Sequence, residues 1–542
     1  MNKEIFANGI ATIDLRAEKC AEDHREPSQP AKSYDEAIRA TGWGWYNVHL
    51  LLLCLPIAWS AVIDTTSTVF VLNSQECEFE LTMFRRGIAL CVIYMGMIVA
   101  GPIWDTCLRE YSTAYLGKRN IIIIGILMDA LCNLFWTYTS SFYTYVICKF
   151  ISGLIVAGPL SVVMAYLSEF HAIAYQAKFT RWAGLLVAVS NIVPAALAAI
   201  LLHRADWLNF TLHGQFYPTW RIYLLVNGLP SILGVITACL LPKSPKFLIS
   251  QGKREDALRI LAKMYRWNHR DSNCEYPITN LKRQEAKKTP IGELFADNFQ
   301  RYKSVFSAPY SHALITVLFL QFFAMMGFHV TRLWVPPLYV TMNHFRVLTR
   351  HLYPKDELIT MCEMLYPRLQ NIDHTGCTYV QPKVEAAVYV NSTIIATTAV
   401  TLGFVFVLLA TTRLRKISLL VFLFLVAAAG CCVTNWAINI PWMLVTVALT
   451  IVGSRVAGQL IVAYNSEILP LHLRSTSLSV INFVGNLGAV VGNVIFGILI
   501  DIDCSSTFLC LGVCLFLCTI MPVFLVQKVK KMDLDVVEAT RF

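Results

Sequence analysis

Four ionisable residues stand inside long apolar stretches of this sequence. Asp64, Asp129, Lys149 and Arg455 each have mostly apolar neighbours on both sides. Arg455 stands twelve residues before Glu467, about 18 Å along a helix that rises about 1.5 Å per residue. A charge buried that deeply costs several kcal/mol unless it is paired or faces a cavity. Each of the four is therefore a candidate for binding a solute or an ion.

The signs of these charges suggest two kinds of site. Asp64, in the second half of the first apolar stretch, is predicted to bind a proton or another cation, and Arg455 an anion or a carboxylate. The alternative is structural. The two could pair with each other or with Asp129, which is itself a candidate ligand, and Lys149 could extend to the membrane surface. The sequence leaves both interpretations open.

Neutral amides in the apolar stretches form a second set of candidates. They could bind a solute, but hydrogen bonding between neighbouring helices is the favoured interpretation. The three amides retained as candidate binding residues are Gln321, Asn482 and Asn486.

A short motif occurs twice in the chain. Tyr166-Leu-Ser-Glu169 and Tyr464-Asn-Ser-Glu467 end two apolar stretches, and seven residues after each glutamate stand Gln176 and Arg474. A weak repeat of this kind is typical of transporters with two related halves that hold the solute between them. Glu467 and Arg474 could form charge-assisted hydrogen bonds that close one mouth of such a protein. The alternative is a solvated ion pair worth less than about 1 kcal/mol.

No constellation in the sequence is typical of an enzyme. There is no nucleophile elbow, no dinucleotide-binding fingerprint and no cluster with metal-ligand spacing, so catalysis, a cofactor and a bound metal are not expected. The lack of a P-loop also argues against a pump driven by ATP.

Membrane-spanning helices must position the candidate residues. Of the 542 residues, 56% are hydrophobic and only 15% are charged, against about 25% in an ordinary soluble domain. The apolar stretches run to about 20 residues, enough to cross a hydrocarbon core of about 30 Å. We therefore predict an all-α membrane protein with about twelve transmembrane helices in two six-helix bundles. The predicted spans are 46–71, 87–104, 120–139, 142–166, 180–202, 221–241, 309–333, 386–410, 417–434, 441–465, 476–500 and 504–526.

Basic residues predict the orientation of these spans. The net charge of +10 comes from Lys and Arg in short links and in the segment 243–303, which is typical of the cytoplasmic side of a membrane protein and not of a nucleic-acid-binding surface. Because the number of spans is even, both termini are then cytoplasmic. The same topology places the glycosylation sequon at Asn209 outside, together with a loop that holds Cys362 and Cys377. These two cysteines could form a disulfide.

The predicted organisation follows from the spans and the polar stretches between them. The first segment is expected to be a flexible tail, and the segment after span six a linker with amphipathic helices. The parts are a cytosolic tail 1–42, an N-terminal bundle 43–241, a cytosolic linker 242–307, a C-terminal bundle 308–526 with an outer loop 334–385, and a cytosolic tail 527–542.

Four landmarks are spread over nearly the whole chain. They are Ala37 to Tyr46 with Asp64, Tyr166-Leu-Ser-Glu169-Phe170, Pro242-Lys-Ser-Pro-Lys-Phe-Leu248 and Glu467-Ile-Leu-Pro-Leu-His-Leu-Arg474. Together they resemble the major facilitator superfamily, in the branch that holds the synaptic vesicle glycoprotein 2-like proteins and the organic-ion and sugar porters. The resemblance implies the two-bundle fold and a gate at the cytosolic helix ends.

The chain departs from the family pattern between spans two and three. The usual Gly-x-x-x-Asp-x-x-Gly-Arg-Arg loop is divided here by Cys107–Tyr115, which is either a genuine insertion or a mis-predicted exon boundary. Gln176 replaces an expected Arg and Lys243 an expected Glu, so the gate of the first half is expected to be altered. The cytosolic gate candidates that the resemblance implies are Asp105, Gly117, Lys118, Arg119, Glu169, Glu467 and Arg474.

The resemblance implies a transporter of a small organic solute, either an organic ion or sugar-like, that works by alternating access. A proton is the expected coupling ion if transport is coupled. The alternative is a membrane protein of the vesicle-glycoprotein type that binds or traffics without transporting. The expected partners are the solute and the lipid bilayer, with no nucleic acid, and the protein is expected to be a monomer. Plasma membrane and vesicle membrane are both compatible with the sequence.

Overall fold

The computed structural model shows a bundle of long apolar helices. It describes residues 31–79, 81–106, 116–204, 210–212, 215–269, 275–282, 291–307, 311–349, 360–364, 386–409, 413–438, 440–469 and 471–522. Eleven helical segments in these ranges are long and apolar enough to cross a membrane, and Cys504–Leu517 adds a shorter apolar helix. The prediction of an all-α membrane protein with about twelve spans is confirmed.

Two of the first six spans are interrupted. Span five breaks at Ser190 and Asn191, three residues before Pro194, and span six breaks at Gly228, where Leu229 and Pro230 start the second helix. The helices of the first half are span one, Trp45–Val71; span two, Met83–Thr106; span three, Lys118–Thr137; span four, Phe142–Glu169; span five, Ile173–Val189 and Ile192–Leu201; and span six, Thr219–Asn227 and Leu229–Leu240.

The second half begins with the longest helix. Span seven continues past the predicted boundary at 333, so the predicted outer loop 334–385 begins as helix. The helices of the second half are span seven, Ser311–Thr349; span eight, Ala386–Leu409; span nine, Arg413–Thr434; span ten, Ile440–Ile468; span eleven, Leu471–Ile502; and span twelve, Cys504–Leu517.

The predicted end of span seven at 333 is wrong, and the helix continues through the Pro336-Pro337 pair. Proline lacks the N–H that donates to the carbonyl four residues earlier, so the carbonyls of Arg332 and Leu333 lose their usual helical donors. The helix nevertheless continues, because Leu338, Tyr339, Val340 and Met342 beyond the prolines are buried in the core of this half. Apolar burial outweighs the two missing hydrogen bonds.

We call the face formed by residues 242–307 the linker side and the opposite face the loop side. A small hairpin lies on the loop side between spans five and six, with β1 (Phe210–Leu212) antiparallel to β2 (Gln215–Tyr217). The hydropathy pattern predicts no strand there. These are the only two strands longer than a single bridge in the described part of the chain.

The two halves pack closely near the loop side, at the crossing of spans two and eleven. A Cβ added to Gly87 would come within 2.9 Å of the Asn493 carbonyl oxygen, and one added to Gly497 within 3.0 Å of the Met83 carbonyl oxygen. Small residues allow such close approach of helix backbones in membrane proteins. This seam leaves no room for a solute to pass between spans two and eleven.

The tail was expected to be flexible up to residue 42, but its last part is folded onto the linker. Helix Tyr34–Ala40 begins with a capping box in which Ser33 and Glu36 exchange hydrogen bonds. Asn268, at the end of linker helix Arg254–Asn268, donates to the Thr41 carbonyl 3.1 Å away, and Tyr276 donates to the Ala37 carbonyl 2.8 Å away. Buried apolar residues such as Ala37 explain why this segment is ordered. The linker also contains the helices Pro245–Ser250 and Ile291–Val305.

Candidate functional site

A cavity of about 250 Å³ lies between the two halves. Spans one and five of the first half line one side of it, and spans seven, eight and ten of the second half line the other. The volume is slightly below the roughly 300–1,000 Å³ of pockets for drug-sized ligands, so the cavity suits a small solute. Most of the lining is apolar, and Arg181, Arg332 and Arg455 are its charged residues.

Arg332 is held by three neutral oxygen atoms, all from the first half. Its guanidinium donates to the Asn191 amide oxygen at 3.0 Å, to the Tyr94 hydroxyl at 3.0 Å and to the Thr66 hydroxyl at 3.2 Å. Asn191 lies at the break in span five, where its side-chain amide nitrogen donates a hydrogen bond to the Ala188 carbonyl. The amide oxygen of the same side chain accepts the hydrogen bond from Arg332. Arg332 is therefore fixed in orientation while its charge is not neutralised.

Arg455 contacts an aromatic ring. Its Cζ lies 4.7 Å from the centroid of the Phe328 ring, and the Cζ of Arg332 lies 5.0 Å from the same centroid. Both distances are within the range of cation–π attraction, about 6 Å. Within the residues that the structure describes, neither guanidinium forms an ion pair and no Asp or Glu lines the cavity. The cavity has an excess of positive charge.

A buried histidine, His329, packs against the two aromatic residues that contact the arginines. The ring of His329 packs edge-to-face on Tyr94 with 4.6 Å between centroids, and on Phe328 with 4.9 Å. The side chain is 9% exposed, and its Nδ1 has no hydrogen-bond partner among the described residues. Aromatic packing thus fixes the positions of both Tyr94, which binds Arg332, and Phe328.

A second polar cluster is buried inside the first half. The Lys149 ammonium lies 2.6 Å from Asp64 Oδ1, and Ser152 donates a hydrogen bond to Asp64 Oδ2. The same ammonium lies 3.8 Å from the centroid of the Trp136 ring. Lys149 is only 1% exposed, so the structure excludes the alternative in which it extends towards the membrane surface. Its side chain turns inward because a buried carboxylate satisfies its charge.

Asp129 of span three belongs to the same cluster. Its carboxylate interacts electrostatically with both Asp64 and Lys149 and is 1% exposed. Neither oxygen makes a hydrogen bond of good geometry within the described residues, and the neighbouring Ser60 hydroxyl donates to the Ile57 carbonyl instead. The cluster thus combines two carboxylates with one ammonium group.

Span one connects this cluster to the cavity. Asp64 and Thr66 are two residues apart, which turns a helix by about 200°, so they point to nearly opposite faces. Asp64 meets spans three and four, whereas Thr66 lines the cavity and accepts a hydrogen bond from Arg332. A movement of span one would therefore change the surroundings of both the Asp64 cluster and the cavity.

The linker-side candidates of the first half form contacts within that half. Lys118 Nζ lies 2.7 Å from Glu169 Oε1, and Ser244 donates to Glu169 Oε2 at 2.5 Å. Tyr34 donates to the Glu169 main-chain carbonyl. Gly117 has a positive φ of 76°, which favours glycine, and lies against the Phe247 ring.

Three other gate candidates have contacts of a different kind. Arg119 donates to the Cys239 carbonyl at 2.7 Å, and Asp105 accepts a hydrogen bond from Tyr302 of the linker at 3.1 Å. In the second half, the exposed Arg474 donates to the Leu469 carbonyl at 3.0 Å. The Glu467 side chain lies outside the described residues.

The neutral candidates are not brought to the cavity. Gln321 is 3% exposed and lies near Gly485, where its Oε1 has no partner among the described residues. Asn482 is exposed on span eleven, Asn486 is half-buried, and neither lines the cavity. Of the six residues predicted to bind a solute or an ion, Arg455 alone is among the described residues that line it.

The predicted Cys362–Cys377 disulfide is wrong, because Cys362 is bonded to Cys504. The Cα atoms of Cys362 and Cys504 are 5.6 Å apart. A helical turn at 361–364 is tied to the second half by a hydrogen bond from the Met361 N–H to the Ala437 carbonyl, which brings Cys362 to the start of span twelve. Cys504 lies in a predicted apolar span, where a cysteine is expected to be a small buried hydrophobic residue and not a disulfide partner. Cys377 and Asn209 lie outside the described residues.

Sequence reasoning also missed Arg332, the best-positioned charge in the cavity. An available signal was its place inside an apolar stretch, but it stood one residue from a predicted span end, where an arginine is unremarkable. Asn191, Tyr94 and Phe328 carried no comparable signal, because their roles depend on which helix faces meet.

Comparisons with known proteins agree with this architecture. The family profile described as "Sugar (and other) transporter" matches residues 61–328, and the profile described as "Major Facilitator Superfamily" matches residues 385–539. Similar curated proteins include synaptic vesicle glycoprotein 2A of Bos taurus, 23% identical over 48% of this chain and 35% of that protein, and synaptic vesicle glycoprotein 2B of Homo sapiens, 22% identical over 56% and 45%. The chain thus matches less than half the length of these relatives.

Similar solved structures show the same fold. The partially occluded inward-open xylose transporter XylE from E. coli has a TM-score of 0.59 and 14% identity, covering 90% of this chain and 99% of that one. A crystal structure of a D-xylose-proton symporter has a TM-score of 0.59 and 13% identity, covering 88% and 97%.

Proposed function

The chain belongs to the major facilitator superfamily, and we propose that it is a secondary transporter that moves a small organic solute by alternating access. The observation that carries this proposal is the cavity between the halves, lined by residues of both. A solute bound there contacts two bodies that can rock against each other around a fixed site. The protein is an integral, multi-pass membrane protein, and no catalytic role is proposed.

The buried cluster of Asp64, Lys149 and Asp129 is the proposed coupling site. With all three groups ionised it carries one net negative charge, and one added proton makes it neutral. Because such a charge is costly in a buried site, binding of a proton biases any conformational equilibrium that changes the surroundings of the cluster. Span one transmits this bias to Thr66 and Arg332 in the cavity.

The linker-side contacts are the proposed gate of the first half. Glu169 at the end of span four contacts Lys118 of span three, Ser244 of the linker and Tyr34 of the N-terminal helix. It therefore joins span four to three other elements. For the second half, the pairing of Glu467 with Arg474 stays a prediction. Opening of the linker side would require these helix ends to separate.

The disulfide supports the proposed orientation. Cys362–Cys504 lies on the loop side, and disulfides persist in oxidising compartments and are rare in the cytosol. The loop side is then extracellular or lumenal, and the linker side and both termini are cytoplasmic. Glycosylation of Asn209 remains a prediction of this topology.

Reconstituted protein tests the function directly. Proteoliposomes are given labelled benzoate, tetraethylammonium or xylose, with and without an inward proton gradient, and both uptake and exchange are measured. We expect saturable uptake of at least one solute, accumulated against its gradient by the proton gradient. Asp64→Asn and Asp129→Asn should lose this accumulation, while Asp256→Asn, a matched change on an exposed linker helix, should keep it.

The outcomes separate the two candidate functions. Ligand binding by a folded protein without flux under any gradient would favour the non-transporting alternative. Undiminished proton-driven accumulation in both Asp64→Asn and Asp129→Asn would refute the coupling role and leave the transport proposal in place.

A further inference from the structure

The charges that line the cavity identify the chemical class of the solute. We infer that the protein carries a small organic anion, whose acidic group binds Arg455 and Arg332 and whose apolar part packs against Phe328. This inference rests on the proposed transport function but is more specific than it. The resemblance to sugar and organic-ion porters leaves the sign of the solute's charge open.

The cavity has an unbalanced positive charge. Arg332 and Arg455 line it without an ion-pair partner among the described residues, and no carboxylate of those residues lines it. The nearby intramembrane acid Asp64 is bound to Lys149 on the opposite face of span one. A buried cation is unfavourable without a counter-charge, and an anionic solute supplies one. A cationic solute would add to the repulsion.

Both guanidinium groups keep N–H donors that no described residue occupies. Arg455 has no hydrogen-bond partner in the described part of the chain and contacts the Phe328 ring instead. Arg332 is oriented by Thr66, Asn191 and Tyr94, but its Nε is unpartnered among the described residues. Planar guanidinium forks match the geometry of carboxylate, phosphate and sulfonate groups.

The two arginines lie close to each other. Their Cζ atoms lie 4.7 and 5.0 Å from one ring centroid, so they are separated by no more than about 10 Å. Both side chains line the same cavity, so an anion bound there interacts with both charges. Two like charges held this close, with no carboxylate of the described residues beside them, favour the binding of an anion.

The rest of the lining is mostly apolar. Apolar side chains such as Val69, Phe70 and Ile451 surround the arginines. A sugar needs a hydrogen-bond partner for most of its hydroxyl groups, and Thr66 and Asn191 are already occupied by Arg332. The Thr180 and Ser392 hydroxyls of the lining donate to carbonyls of their own helices. Gln459 is then the one uncharged polar side chain of the described lining that has no partner among the described residues. A compact hydrocarbon or aromatic body beside one acidic group fits this surface better.

Probes that differ in charge and hardly in size provide the test. Purified wild-type protein is titrated with benzoate, benzamide, benzylammonium, phenyl phosphate and xylose, and ligand binding is read from the thermal shift. We expect stabilisation by benzoate, phenyl phosphate or both, at concentrations at which benzamide, benzylammonium and xylose have no effect. Arg455→Gln should weaken binding of the anion at least about tenfold, which corresponds to about 1.4 kcal/mol. Arg455→Lys should retain part of it, and Arg259→Gln on an exposed linker helix should change nothing.

A second measurement does not depend on the folding of a variant. In the wild type, the bound anion should protect Arg455 from phenylglyoxal, as measured by peptide mass spectrometry, whereas benzamide should not. Stabilisation by the neutral or cationic probes alone, failure of every anion to bind folded protein, or undiminished anion binding in both Arg455→Gln and Arg332→Gln would each overturn the inference. Anion binding without flux would instead refute transport and keep the anion site. Flux of xylose without anion binding would refute the anion site and keep transport.

Discussion

Removal of the Lys149 ammonium should destabilise the protein strongly. Lys149 and Asp64 are 1% and 3% exposed in their side chains, with 2.6 Å between Nζ and Oδ1. Breaking a buried ion pair from one side costs about 3–5 kcal/mol, because an uncompensated charge stays behind. Lys149→Met leaves the buried Asp64 carboxylate without its cation, so a loss within this range is expected.

The reverse change should cost less. In Asp64→Asn the ammonium keeps Asp129 as an electrostatic partner and the Trp136 ring at 3.8 Å, so we expect a loss of about 1–3 kcal/mol, typical of an impaired buried hydrogen bond. The double variant Asp64→Asn/Lys149→Met should be more stable than the sum of the single changes predicts, with a coupling free energy of about 2–3 kcal/mol.

Thermal unfolding of the detergent-purified variants measures these differences. Unfolding entropy grows by about 2.1 cal/mol/K per residue, so for a chain of 542 residues each kcal/mol shifts Tm by about 1 °C. Lys263→Met is the matched control, because Lys263 is exposed on a linker helix and lies over a tryptophan ring at 5.8 Å. Equal Tm values for Lys149→Met and Lys263→Met would refute the role of the buried pair, and additive single changes would refute the coupling.

Two further predictions concern the ends of the helices. Burial lowers the pKa of His171, so the neutral ring is the folded form, and the stability it contributes is present above a pH of about 6.5 and is lost as the pH falls below it. His171→Phe should reduce the loss of Tm between pH 7 and pH 5, and an unchanged pH dependence would contradict this assignment. Cys504→Ser should lower the stability by about 2–4 kcal/mol and expose Cys362 to maleimide labelling. Labelling of Cys362 in unreduced wild-type protein would show that the disulfide does not form.

The fold was largely predictable because hydropathy measures the property that decides it. Eleven of the spans are long apolar helices, and their order along the chain follows from composition alone. Errors arose where tertiary contacts override local signals. Span two begins at Met83 and not at 87, because Arg86, which ends the apolar stretch in the sequence, is buried and paired with Glu76 at 2.8 Å.

The site was only partly predictable, for a different reason. The sequence shows which charges lie in the membrane, but their pairing depends on which faces of the helices meet. Asp64 pairs with Lys149, 85 positions away, and Arg332 meets Asn191 across the two halves. No local pattern encodes either contact. The cysteine pairing failed for the same reason, since Cys362 and Cys504 are 142 residues apart.

The two proposed sites have complementary charges, and this has a consequence for the transport cycle. The cavity holds Arg332 and Arg455 without a carboxylate of the described residues, and the Asp64–Lys149–Asp129 cluster has one carboxyl group more than it has ammonium groups. A bound anion therefore offsets one positive charge of the cavity, and a bound proton neutralises the cluster with all three groups ionised. Coupling between two sites requires an element whose two arrangements both ligands bias. Span one is such an element, because its opposite faces hold Asp64 and Thr66. A monovalent anion and one proton together carry no net charge, so the fully loaded protein rearranges with the same net charge as the empty one. Binding of only one of the two changes that net charge by one, which favours the fully loaded protein over the protein with one site filled for crossing between the two open states.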